Sequence, residues 1–312
     1  MKKLILATAI MATSAHAQVE LDVCGKKVTF DKVPERAVAN DINMLSIMLE
    51  LGLKPNMAGY SGVSAYEKTS PEIIAKVSDL PNIAQRKPTI ENLLNVDADF
   101  YFAGWNYGMN VGGPVTPEKL AAYDIKTYVI KESCSHVQQR ETVSLSDTFY
   151  DINAIGKIFD IEDKANKLID GYQARLELVQ QRVQNQKSKT VFVYDSGEDK
   201  PFTAGGLAVP NAIIKAAGGT NVMESVHKSW TQVNWESVVE ADPEHIVIID
   251  YSTPVAADKI DFLKRFPATA NITAVRNNSF TVLSYAAATP GIENIDSVEK
   301  LASNLYPELF KK

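Results

Sequence analysis

Two hydrophobic periods alternate along the chain. Short runs rich in β-branched and aromatic residues, bounded by glycine or proline, fall at 36–40, 57–60, 100–103, 127–130, 191–194 and 246–249. Runs of this length and composition predict buried strands. Between them the spacing turns helical, as in Met44, Ile47, Met48 and Leu51 before Gly52, or in 212–217 before Gly218-Gly219. Glycine placed just past the last apolar position is a helix terminator, because it accepts the left-handed conformation at little cost. Strand and helix alternating through the whole sequence predict an α/β fold with parallel-type sheets. At 312 residues the chain exceeds what one hydrophobic core generally serves, so two lobes are expected.

The most regular segment lies between the lobes. Leu145, Phe149, Ile152, Ile155, Ile158 and Phe159, followed by Leu168, Tyr172, Leu176 and Val179, keep helical spacing nearly to Gln186, with an irregularity at Gly156 or at 160–163. One α-helix of about 35 to 40 residues would run some 50 to 60 Å. Such a stiff connector predicts small lobe motions. The organisation read from this pattern is an N-terminal α/β lobe over 18–143, a connecting helix over 144–186 and a C-terminal α/β lobe over 187–312.

An internal repeat supports two lobes. Residues 91–99 (ENLLNVDAD) align without a gap with 236–244 (ESVVEADPE), and each stretch leads into an apolar strand. In both, Glu opens a short helix, apolar residues follow at the second, third and fifth positions, and Asp ends it. Glu91 and Glu236 are therefore expected at equivalent places on the two lobes.

Charge and termini narrow the function. Lys+Arg number 32 against 38 Asp+Glu, a formal charge of −6. Nucleic acid or an anionic membrane surface would demand clustered cations, and no such cluster exists. Lys2 and Lys3 precede an apolar run ending near Ala12, and Ala15-His16-Ala17 follows. This is the pattern of a signal peptide over 1–17 cleaved after Ala17, which predicts a periplasmic location. The residues before Cys24 make a poor lipidation signal, so a free protein without a lipid anchor is expected. Cys24 and Cys134 are the only cysteines, and an even pair in an oxidising compartment predicts a disulfide. A metal site or a catalytic thiol is disfavoured because neither residue has a CxxC or Cys/His neighbour.

Ligands of open α/β sheets bind outside the carboxyl ends of the strands. The residues just past the predicted strands are rich in aromatics beside glycines, namely Tyr60, Trp105 and Tyr107, Tyr194, Phe202, Tyr251 and Tyr285, with Trp230 in a polar loop before the second repeat. Aromatics at such loops suit a flat or bulky ligand. Catalytic patterns are missing: the chain holds no GxSxG, Walker, HExxH or GxGxxG motif. Past the signal peptide the histidines are His136, His227 and His245, too few and too scattered for a zinc carrier. An enzyme, if present, would be a periplasmic hydrolase using Asp195 or His227.

The sequence resembles the metal-chelate class of periplasmic substrate-binding proteins, which receive ferric siderophores, haem or cobalamin and deliver them to an ABC importer. The resemblance spans nearly all of the chain past the signal peptide, and its most specific pieces are 103–108 (AGWNYG), 200–206 (KPFTAGG) and the paired Glu helices. It implies two α/β lobes joined by one long helix, no catalysis, no resident metal or cofactor, and a monomer that docks through Glu91 and Glu236 on arginines of the two permease subunits. In the hydroxamate-binding branch an Arg before the first Glu helix and a Tyr after the next strand touch the chelate. Arg86 and Tyr107 lie near those places, with Arg86 one residue closer to Glu91 than the pattern. Arg86 either donates to anionic oxygens around iron or stays solvated beside Lys87. Basic residues near the predicted loops are limited to Arg86, Lys200 and Lys228, so a hydroxamate-like or weakly charged ferric siderophore is favoured, with haem or cobalamin as alternatives.

Overall fold

The computed structural model describes residues 18–311; the expected signal peptide lies outside the described residues. β1 (Val19–Val23) and β2 (Lys26–Phe30) form an antiparallel hairpin, turned by Cys24 and Gly25 at φ 52° and 78°. Two positive φ angles give the loop the twist that paired strands require. Cys24 is bonded to Cys134, so the predicted disulfide ties this hairpin to the segment Glu132–His136.

The first lobe is built on a six-stranded parallel sheet of β3 (Ala37–Asn40), β4 (Met57–Ser61), β5 (Asn82–Ala84), β6 (Phe100–Trp105), β7 (Gly108–Met109) and β8 (Lys126–Val129). Its order is β5-β4-β3-β6, with β8 and the short β7 each also paired to β6. All six residues of β6 are buried, which explains the unbroken apolar run in the sequence: a central parallel strand is covered on both faces. The second lobe repeats the plan with β9 (Lys189–Tyr194), β11 (Gly219–Asn221), β13 (His245–Asp250) and β14 (Phe280–Ser284), all parallel in the order β11-β9-β13-β14. A separate antiparallel ribbon joins β10 (Phe202–Ala204) to β12 (Trp230–Gln232). Segments read from sequence as loops at 202–206 and around Trp230 thus contain paired strands.

The connecting segment differs from the single helix expected over 144–186. It is two helices, Leu145–Ile158 and Glu162–Val183. The first ends in a Schellman motif: Ile161 N–H donates to Gly156 O at 2.8 Å and Asp160 N–H to Lys157 O at 3.3 Å, with Asp160 at φ 56°. The chain then doubles back, so that the Asn153 and Asn166 side chains meet at 3.0 Å. A Cβ at Gly156 would collide with that of Ala165, so the reversal needs glycine there. Helical periodicity largely survives across such a turn because both helices pack an apolar face on the same core, so the irregularity at Gly156 or 160–163 does not by itself announce a reversal. The helix Glu162–Val183, about 33 Å long at 1.5 Å per residue, carries the chain to the second lobe. There Arg175 bonds Glu299 and Asp296 on the helix Asn294–Leu305.

Candidate ligand site between the lobes

A cavity of about 230 Å³ lies where the two sheets present their carboxyl ends. The first lobe contributes Asn106, Tyr107 and His136. The second contributes Asp195, Ile249 and Tyr251, at or just past the ends of β9 and β13, together with Tyr285, Ala288 and Thr289 beyond β14. Phe202 and Trp230, stacked with ring centroids 5.9 Å apart on the ribbon, close one side with Ser229. Tyr107 reaches the cavity through a tight turn: Gly104 and Tyr107 exchange backbone hydrogen bonds of 2.7 and 3.0 Å, with Asn106 at φ 68°. Gly108 follows at φ 98°, where a Cβ would strike the Tyr101 hydroxyl and Asn40.

Buried carboxyl groups stand around this wall, each held by a hydroxyl. Tyr251 donates to Asp195 Oδ2 at 2.6 Å, and Ser196 donates to Asp195 Oδ1 at 2.7 Å. Tyr285 donates to Asp41 Oδ2 at 2.7 Å, and Ser229 donates to Glu132 Oε1 at 2.8 Å. Burial pushes the Asp41 carboxyl up to about 7 against the lowering effect of the Tyr285 hydroxyl and the Ile42 N–H. Burial likewise pushes Glu132 up to about 7, opposed by the Ser229 hydroxyl. His136, beside Asn106 at 3.2 Å, is shifted down by burial and so favours its neutral form. Lys259, also lowered by desolvation, sits behind the wall. Its Nζ donates to the carbonyls of Asp195 and Ile249 and lies 4.5 Å from the Tyr251 ring centroid.

The lobes touch at the rim. Tyr66 stacks on Tyr251 at 4.7 Å, and the Tyr66 carbonyl accepts from the Ser252 N–H at 2.9 Å. Lys68 pairs with Asp250 at 2.7 Å, and Asn43 Nδ2 donates to Pro290 O at 2.7 Å. The segment carrying Tyr66 and Lys68 is anchored by Ser64 and Glu67, which cap its short helix reciprocally.

Of the aromatics singled out from sequence, Tyr107, Phe202, Trp230, Tyr251 and Tyr285 meet at this cavity. Tyr60, Trp105 and Tyr194 do not. Tyr60 is buried in β4. Tyr194 faces the second lobe's core, with its ring 5.4 Å from Trp235. Trp105 sits on the other side of the 104–107 turn, lining a separate cavity with Cys24, Val28 and Pro117. Arg86 is exposed and lies outside the cavity lining, as do Lys200 and Lys228. Of the two hydrolase candidates, Asp195 lines the cavity while His227 is exposed and outside its lining. The reading of the sequence missed Asn106, His136, Ser229 and the carboxyl groups of Asp41 and Glu132. Asp41 and Glu132 follow the strands at 37–40 and 126–129 closely, a position that could have marked them.

Glu91 and Glu236 are both exposed, each the second residue of a short helix, Ile90–Leu94 or Trp235–Ala241. Thr89 and Asn234 cap these helices by accepting from the backbone N–H groups of Asn92 and Ser237. Asp97 and Asp242, matched by the same repeat, both take positive φ, 48° and 37°, before β6 and β13. The repeat therefore extends to backbone conformation.

Comparison with known proteins agrees with this architecture. A structure of a periplasmic binding protein from Veillonella parvula superposes with a TM-score of 0.80 at 26% identity, covering 93% of this chain and 98% of that one. An ABC-type Fe3+-hydroxamate transport system structure from Saccharomonospora viridis gives 0.77 at 24% identity, covering 92% and 98%. The ABC transporter substrate-binding lipoprotein YvrC of Bacillus subtilis, itself uncharacterized, is 22% identical over 295 residues, covering 93% of this chain and 86% of that protein. A family model described as periplasmic binding protein matches residues 38–286, well over half of the sequence, and the chain belongs to that family.

Proposed function

We propose that the protein is the solute-binding component of an ABC importer, exported to the periplasm, which takes a ferric siderophore into the interlobe cavity and delivers it to a permease dimer through Glu91 and Glu236. The observation that carries this reading is the cavity itself, an aromatic-walled cleft at the carboxyl ends of two parallel sheets with no Lys or Arg in its lining. A strongly anionic catecholate complex would find no cation there, whereas a hydroxamate-like chelate brings little or no net negative charge. The family is one of binding proteins, and in the site Asp195 is engaged by two hydroxyls while His136 meets an amide. The iron is cargo within its chelate and needs no ligand from the protein.

At about 230 Å³ the cavity is smaller than the roughly 300–1,000 Å³ usual for drug-sized ligands, so capture requires the lobes to part at the Tyr66–Tyr251 and Lys68–Asp250 contacts. The Trp230 ring at the wall supplies a signal. Fluorescence titration against ferric hydroxamate, catecholate and carboxylate chelates, haem and cobalamin is expected to give saturable quenching with the hydroxamate. Saturation by haem or cobalamin alone would replace the siderophore reading, and His136 at the wall would then be the residue to test as an axial ligand of haem.

A further inference from the structure

We propose that the ligand of this cavity presents a cationic group, an ammonium, to the wall formed by Tyr107, Trp230, Tyr251 and Tyr285, with Asp195 as its counter-charge. The inference rests on the reading of the cavity as the ligand site and goes further, to the charge of what enters it. Four electron-rich rings line one small space, and such rings attract a cation through their quadrupoles, an attraction that grows as water is excluded. The Tyr251 ring already has an ammonium beside it, since Lys259 Nζ lies 4.5 Å from its centroid.

The charges around the wall point the same way. One carboxyl group, Asp195, is in the lining, and two more stand behind it, Asp41 bonded to Tyr285 and Glu132 to Ser229. Glu132 is 1% exposed, and its Oε2 has no hydrogen-bond partner among the described residues. Three cations are near, and each is engaged within the fold: Lys68 by Asp250, Arg140 by Asp147, and Lys259, buried, by two backbone carbonyls. An anionic ligand would meet this carboxyl cluster without a free cation, while an ammonium would complete it. Burial pushes Asp41 and Glu132 up to about 7, with Arg140 drawing Glu132 the other way.

The test uses the full chain and two ferric trihydroxamate chelates, one ending in a free primary ammonium and the other the same molecule N-acetylated. Fluorescence titration at pH 7.5 is expected to show the ammonium chelate bound at least tenfold more tightly. Tetramethylammonium at millimolar concentration should compete with it, and Asp195→Asn should reduce the preference to less than twofold. Equal affinity for the two chelates, or tighter binding of the acetylated one, overturns the inference and leaves the siderophore reading standing. Binding of tetramethylammonium with neither chelate bound supports the inference and overturns the siderophore reading. Binding of none of the three overturns both. The wild-type comparison decides the matter even if Asp195→Asn does not fold.

Discussion

Tyr285 donates a hydrogen bond to Asp41 Oδ2 at 2.7 Å, joining the exit of the last strand of the second lobe to the start of the first helix of the first. The pair closes the back of the cavity and buries a carboxyl group where the lobes meet. Asp41 is itself held at φ 70°, a left-handed conformation that outside glycine falls mainly to Asn and Asp and carries some backbone cost.

The pH dependence of stability follows from this burial. Asp41, Glu132 and Glu293 are each pushed up to about 7 by burial. Between about 4 and 7 the folded protein keeps protons that the unfolded chain has released, so their stabilising contribution is full below the ordinary carboxylate range and is lost as pH rises to about 7. The thermal midpoint of the ligand-free protein is expected to fall between pH 5 and pH 7.5. The double variant Asp41→Asn with Glu132→Gln should flatten that slope; an unchanged slope would remove these groups from the account.

Trp230 and Trp235 should separate binding from folding. Trp230 is half-buried at the cavity wall, whereas Trp235 is 4% exposed, packs on Phe192, Tyr194, Phe262 and Phe266, and donates its Nε1–H to Glu198 O. Trp230→Ala is expected to weaken ligand binding by about 1–3 kcal/mol with little change in melting temperature. Trp235→Ala is expected to destabilise the fold by about 3–5 kcal/mol. Equal destabilisation by both would make Trp230 a packing residue.

Closure at the rim is expected to set the rate of capture. The Lys68–Asp250 pair is partly exposed and worth no more than about 1 kcal/mol, but together with the Tyr66–Tyr251 stack it spans the cleft mouth. Tyr66→Ala combined with Lys68→Ala should raise both association and dissociation rates in stopped-flow fluorescence. Unchanged rates would mean that ligand enters without parting these contacts.

Docking makes a separate demand. Glu91→Ala and Glu236→Ala should leave ligand affinity and melting temperature nearly unchanged, since both side chains are exposed and lie outside the cavity lining. Uptake by cells should fall, more in the double variant than in either single one, because truncating a desolvated interfacial charge costs roughly 2–5 kcal/mol. Full uptake by the double variant would reduce both residues to helix-terminal acids.

Much of the fold was legible because its strands are buried on both faces, so that 100–105 or 245–250 read as apolar runs with few alternatives. The paired Glu helices were legible for another reason, a repeat that the left-handed Asp97 and Asp242 carry into the backbone. The break at Asp160 showed only as an irregularity at Gly156 or 160–163 and not as a reversal, since a Schellman turn with Asp in place of Gly leaves the apolar spacing nearly intact. Nor did sequence distinguish Tyr107 from Trp105: the 104–107 turn sends two neighbouring aromatics to different cavities. Asp41 and Glu132 read as ordinary acids because burial is a property of the packed lobes, and only there do Tyr285 and Ser229 reach them.

The central claim is capture of an intact ferric chelate between the lobes, and equilibrium dialysis with an iron-labelled trihydroxamate tests it most directly. The account predicts one chelate per chain, displaced by unlabelled chelate, recovered chemically unchanged by mass spectrometry, and held at least tenfold less tightly by a Tyr107→Ala, Trp230→Ala double variant of unaltered melting temperature. Retention of full affinity by that variant, or recovery of a hydrolysed chelate in amounts that grow with time, would contradict it.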